Sequence, residues 1–152
     1  HEFTMGNENA LKDYVSDNPD SDFIFDAFRK MANHYANTEE REKELTAYKE
    51  MLSLFPDNPS ALNSYAWRMA EIETNLEDAL IKAQRAVSLT NNEPQTQANI
   101  IDTEAEVLWK LKRYDEAIEA IEKAILIDPE NQYFKAQKTK FLESRQTASQ
   151  SA

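Results

Sequence analysis

The sequence predicts an all-α protein assembled from helical hairpins. Apolar residues recur at spacings of three and four over paired segments, which gives each segment one apolar face on a 3.6-residue helix. The paired scheme then returns along the chain, as the units of a repeat architecture do. Pro56 and Pro129 close two of the units, because a ring without an amide hydrogen also drives the residue before it out of helical geometry.

Taken from the N-terminus, His1 to Thr4 read as a cloning remnant, and residues 1–6 are expected to hold no structure. Residues 7–24 place Leu11, Tyr14 and Val15 at helical spacing before Ser16-Asp17-Asn18-Pro19, an ending similar to Pro56-Asp57-Asn58-Pro59. The segment therefore reads as the second helix of an earlier hairpin, which makes the chain a piece of a longer one, or as a short N-terminal helix with its linker. Residues 25–58 carry Phe28, Met31, Ala32 and Tyr35, a turn from Asn37 to Glu40, then Leu45, Tyr48, Met51, Leu52 and Leu54. Residues 59–97 repeat the scheme with Leu62, Tyr65, Ala66 and Met69, a turn at Glu73 to Asn75, then Ala79, Leu80, Ala83, Ala86 and Val87. Pro94 to Gln97 at its end are four extra residues that separate it from the next unit.

The clearest unit is 98–131, with Ile101, Ala105, Leu108 and Leu111 before a turn at Lys112 and Arg113, and Ala117, Ile118, Ile121, Ala124 and Ile125 after it. No hairpin of this kind buries its apolar stripe alone, so neighbours must stack and share a core. Residues 132–146 have Tyr133, Phe134, Lys138, Phe141 and Leu142 on one side and read as a helix capping the open end, while 147–152 read as a frayed polar tail.

These units resemble the tetratricopeptide repeat, a helix-turn-helix of about 34 residues. In that family a small residue stands where the two helices cross closely, and Ala32, Ala66 and Ala105 occupy the place here. Ala79 and Ala117 match its small residue early in the second helix, Ala86 and Ala124 the later one, Pro56 and Pro129 the closing proline, and Tyr114 the tyrosine before the second helix. Glu44, Met51 and Asn91 depart from the pattern. The resemblance implies a right-handed α-solenoid of three hairpins with a C-terminal capping helix and a short N-terminal one.

Composition narrows what such a protein can do. Only Gly6 is a glycine, so the glycine-rich loops that cradle phosphates are excluded. With no cysteine there are no disulfides, thiol nucleophiles or thiolate zinc sites, and His1 and His34 cannot form a multi-histidine metal site alone. Seventeen basic against 28 acidic residues leave a formal charge of −11, the wrong sign for a polyanionic nucleic acid. No apolar run approaches the roughly 20 residues of a bilayer span. The chain reads as soluble, with cytoplasm and periplasm both open. His34 has no nucleophile at a suggestive spacing and reads as structural or surface. Asp115, Glu116 and Glu119 lack a calcium-loop pattern and read as a solvated helix face, so no cofactor or metal is expected.

In the family the first helix of each hairpin lines a groove that takes extended peptides or partner helices. Carried over position by position, the resemblance implies a strip of Arg29, Lys30 and Asn33, then Asn63, Ser64 and Trp67, then Asn99, Asp102, Thr103 and Glu106. Asparagines offer donors and acceptors to a peptide backbone, and a tryptophan adds rigid apolar area with a donor. A specialised branch clamps C-terminal carboxylates with Lys, Asn and Arg. Arg29, Asn33 and Asn63 or Ser64 approximate part of that clamp, but Asn99 and Thr103 stand where its last cations belong and Asp102 repels an acidic tail. A neutral or basic ligand is expected instead. Glu104 stands where the family usually has leucine, and is expected to reach water at the helix edge.

The expected function is that of a non-enzymatic adaptor or scaffold binding a peptide or partner protein in the groove. The alternative is self-assembly through the open ends or through the helix bearing Phe134 and Phe141. The helices also resemble the C-terminal helical extension of some bacterial thioredoxin-like proteins, which implies a redox domain upstream in a longer chain.

Overall fold

The computed structural model describes residues 13–14, 16–18 and 23–151. Every regular element among them is an α-helix. Residues 13–14 and 16–17 are helical, whereas Leu11, Val15 and the suggested remnant at the N-terminus lie outside the described residues. Seven full helices follow: α1 (Phe23–Asn37), α2 (Arg41–Leu54), α3 (Pro59–Ile72), α4 (Leu76–Ser88), α5 (Pro94–Lys110), α6 (Tyr114–Ile127) and α7 (Gln132–Gln150). They fall into two compact units, His1–Pro56 and Asp57–Ala152.

The three hairpin turns close in one way. After α1, α3 and α5 the chain places Glu39, Glu73 and Lys112 in the left-handed region, at φ 58°, 51° and 62°. The next amide then reaches back five residues, Glu40 N to Tyr35 O at 2.9 Å, Thr74 N to Met69 O at 3.1 Å and Arg113 N to Leu108 O at 2.9 Å. A tighter bond lies inside each, from Glu39 N to Ala36 O, Glu73 N to Ala70 O and Lys112 N to Trp109 O. This paired closure satisfies carbonyls that a helix end leaves open, and the left-handed residue in it is usually glycine. Here two glutamates and a lysine carry the strain, at the fifteenth residue of units beginning at 25, 59 and 98.

In the first unit α1 packs on α2 through Phe28, Met31, Ala32 and Tyr35 against Ala47, Tyr48 and Met51. Leu54, expected on the apolar stripe, is exposed. Glu44, in the family's small-residue place, is only 1% exposed, and Arg41 Nη1 meets its carboxylate at 2.9 Å. An arginine one turn back on the same helix thus supplies the counter-charge that a buried carboxylate requires.

The second unit stacks α3 on α4, α4 on α5, α5 on α6 and α6 on α7, with α3 also lying against α5. Alanine makes these approaches possible: Ala66, Ala79, Ala86, Ala105, Ala117 and Ala124 are fully buried. Asn58 caps α3 and Asn131 caps α7, each carboxamide oxygen accepting an amide three residues on at 3.1 Å. Asn91, which stands in the place of the family's closing proline, accepts from Gln97 Nε2 at 2.9 Å, and the same nitrogen donates to the Val87 carbonyl at 3.1 Å. Pro94 to Gln97, expected to separate two units, are the first turn of α5, because proline is pre-organised for a helix's first position.

Two expectations for the C-terminus change. Helix α7 continues to Gln150 rather than ending at 146, since no proline or glycine stops it and Ser151 N still bonds Thr147 O. Its buried side is Phe134, Gln137 and Phe141, while Tyr133 and Leu142 face solvent and Lys138 pairs with Glu122 at 3.0 Å. Phe134 and Phe141 are 1% and 0% exposed, so the rings suggested as a contact between copies are used inside the protein.

Candidate functional site

The strip implied by the leading helices of the hairpins separates into three environments. On α1, Arg29, Lys30 and Asn33 are exposed, and Arg29 Nη2 is 3.0 Å from Asp26 one turn back. On α3, Asn63, Ser64 and Trp67 are half-buried. Asn63 Oδ1 is shielded from water and has no hydrogen-bond partner among the described residues. On α5, Asn99 is exposed, but Asp102, Thr103 and Glu106 are 6%, 3% and 8% exposed. Their burial departs from the open strip that the sequence suggests.

The physical reason is α7, which lays polar side chains over α5. Gln137 Nε2 donates to Asp102 Oδ1 at 3.0 Å and to Glu106 Oε2 at 2.8 Å. Lys140 Nζ donates to the same Glu106 oxygen at 2.8 Å and stands 4.0 Å from the centre of the Trp109 ring. Trp109 Nε1 in turn donates to Ser144 Oγ at 2.8 Å, and its ring lies 6.1 Å from that of Phe141. Thr103 points its hydroxyl back to the Asn99 carbonyl at 3.5 Å.

Charge in this network is unevenly compensated. Burial pushes the Asp102 carboxyl up to about 6; the Gln137 hydrogen bond opposes the rise, the Glu106 charge adds to it, and Lys140 opposes it again. Burial also pushes the Tyr133 phenol up to about 12, with the Asp102 and Glu106 charges adding to the effect. Tyr133 therefore stays neutral beside two carboxylates. Glu104 is half-buried and its carboxyl is raised, chiefly by burial, with Gln84 Nε2 at 3.5 Å as its partner on α4.

Gln137, Lys140, Trp109 and Ser144 are not marked by the sequence pattern, and Tyr133 is marked there only as part of the apolar side of the capping helix. One signal was present: Phe134, Gln137 and Phe141 share a helical stripe at spacings of three and four. A glutamine on an apolar stripe marks a buried amide that needs partners. His34 lies edge-on to Tyr35 with ring centres 5.6 Å apart. No helix among the described residues is long and apolar enough to cross a membrane.

Residues 98–131 match the family described as tetratricopeptide repeat. No curated protein matches the chain. The matched span holds most of α5, the Lys112 closure and all of α6, and the same left-handed closure with buried alanines recurs in the hairpins before it. Such repeats mediate protein–protein interaction. Residues 98–131 are thus a tetratricopeptide repeat, set within a helical repeat protein.

Proposed function

We propose that the protein is an adaptor whose second unit binds a neutral or basic peptide, or an extended segment of a partner protein, along its leading helices α3 and α5 and the rim of α7. One observation carries the reading. Among the described residues no hydrogen bond ties the side chains of Asn63, Ser64, Trp67 or Asn99 to another group, although α3 and α5 pack side by side. The Asn99 carboxamide, the amide nitrogen of Asn63, a hydroxyl and an indole thus remain available to a peptide backbone, and the indole supplies an anchor of the kind that dominates interface energetics. Thr103 and Glu106 serve this surface from beneath, by packing and by holding α7. The exposed Arg29, Lys30 and Asn33 form a separate strip on the first unit.

The test is calorimetric titration of the folded chain with peptides recovered from a random array, repeated with Trp67→Ala and Asn63→Ala. Loss of the tryptophan is expected to weaken binding at least about tenfold, in line with aromatic hot spots. Hits that bind both variants as tightly as the parent chain refute the site.

A further inference from the structure

We propose that Asp102, walled by Tyr133 and rimmed by Asn99, is a subsite for one basic side chain, arginine or lysine, of the bound peptide. The proposal deepens the adaptor reading and rests on it for the peptide, while the Asp102 site stands on its own hydrogen-bond geometry.

The argument begins with a charge count. Asp102, Glu106 and Lys140 meet under α7, two negative groups and one positive. The lysine is committed, since its ammonium is 2.8 Å from Glu106 Oε2 and 4.0 Å from the centre of the Trp109 ring. Glu106 is thereby neutralised, and among the described residues no cation is bonded to Asp102. Gln137 satisfies one Asp102 oxygen with a neutral amide. The other has no partner among the described residues, yet it is not among the polar atoms sealed from solvent.

A carboxylate more than nine-tenths buried, half-satisfied and without a counter-ion is an expensive arrangement. An ammonium or guanidinium that enters from solvent removes the imbalance, and the four charges then sum to zero. An acidic side chain is repelled, and a neutral one leaves the charge uncompensated.

The surroundings suit the stem as well as the head of such a residue. Tyr133 is half exposed and its phenol lies close enough to feel both carboxylates, so its ring offers an apolar wall to a guanidinium or to methylene groups. Asn99 lies one turn before Asp102 on α5, exposed, where its carboxamide can meet the ligand's backbone. The charges acting on Asp102 are Glu106 on its own helix and Lys140 on α7. Occupation by a cation must draw the raised Asp102 carboxyl back down, so binding takes place with loss of a proton and weakens as the solution is acidified from pH 7 to 5.

The test uses the full chain labelled with nitrogen-15 and two small probes, Nα-acetyl-arginine methylamide and its neutral analogue built on citrulline. At pH 7 the arginine probe is expected to move the Gln137 side-chain amide and the Tyr133 backbone amide saturably at millimolar concentration. The citrulline probe is expected to bind at least about tenfold more weakly. Asp102→Asn, which keeps an acceptor for Gln137, removes the preference for arginine; Tyr133→Leu, an exposed change that spares the carboxylates, weakens the arginine probe several-fold. Equal responses to the two probes, or an Asp102→Asn chain that still prefers arginine, overturn the proposal. Array peptides that shift Trp67 but are indifferent to Asp102→Asn also overturn it while leaving the adaptor reading intact. Failure of every peptide at Trp67 with a positive arginine probe sinks the adaptor reading instead.

Discussion

Replacing Asp102 by asparagine is expected to stabilise the second unit at neutral pH and to leave it unchanged in acid. In the folded chain the carboxyl sits at about 6 against an ordinary value of 3.8. The folded state therefore holds the proton more tightly than the unfolded state. Stability from this group is complete below about pH 4, drains as pH rises through about 6, and is gone above that. A difference of about 2 pH units corresponds to about 3 kcal/mol. Asparagine has the shape of the protonated acid and still accepts from Gln137 Nε2, so it avoids the loss. Urea unfolding of both chains at pH 4, 5, 6 and 7.5, followed by helical circular dichroism, measures the gap directly. The variant is expected to match the parent near pH 4 and to exceed it by about 2–3 kcal/mol at pH 7.5, with most of the change between pH 4.5 and 6.5. A gap that is constant with pH, or one in which the parent gains on the variant as pH rises, refutes the account of this network.

Three further changes probe other parts of the fold. Lys112→Gly relieves a left-handed residue that makes no ion pair among the described residues, and is expected to raise stability by about 1 kcal/mol in the same urea experiment. Ala105→Leu forces three extra carbons into a crossing where alanine is fully buried, and is expected to cost about 1–3 kcal/mol or to prevent folding, seen as a lowered melting temperature. Gln137→Leu removes the donor shared by Asp102 and Glu106 while keeping volume; it is expected to cost about 2 kcal/mol at pH 7.5 and clearly less at pH 4.5, where Asp102 is protonated, again by urea unfolding.

The hairpins were legible because their information is local. Apolar spacing of three and four, alanines at the crossings and prolines at the ends all lie within one unit; the alanines are buried and the prolines terminal for the reason their chemistry suggests, although Leu54 on the first stripe is exposed. Ala66 and Ala105 are the clearest instances. The site was less legible because its defining contacts span 31 to 35 residues of sequence, from Asp102 and Glu106 to Gln137 and Lys140. Position on the leading helix brought Asp102 and Glu106 to notice, yet nothing in α5 alone says that α7 will cover them. Lys138 was placed on the buried side in preference to Gln137 because an aliphatic stem counts toward an apolar stripe and a carboxamide does not. The burial of Gln137 follows only once two carboxylates are known to await its amide. Pro94 to Gln97 show the same limit at shorter range: four residues counted as surplus to a repeat are one more turn of helix.

The part played by α7 changes what a capping helix means in this protein. A cap that only kept the last apolar face dry would need Phe134 and Phe141 and could be polar or indifferent elsewhere. This one also carries Gln137 and Lys140 into the leading-helix face of the hairpin before it, and sets Tyr133 beside Asp102. Exposed ion pairs fix its course along α6, Lys138 to Glu122 at 3.0 Å and Arg145 to Asp115 at 2.9 Å, but pairs of this kind contribute little on their own. The buried Gln137 amide, with the half-buried Lys140 ammonium beside it, is what specifies its register against α5, since a shift of one residue would strand two carboxylates in the core. It follows that removing α7 does not merely expose an end: it releases Lys140 from Glu106, dissolves the wall at Tyr133 and leaves Asp102 in water with its ordinary acidity. A chain cut after Asn131 is thus a poor reporter of binding along α5, and substitutions within α7 are the sounder way to separate the cap from the site.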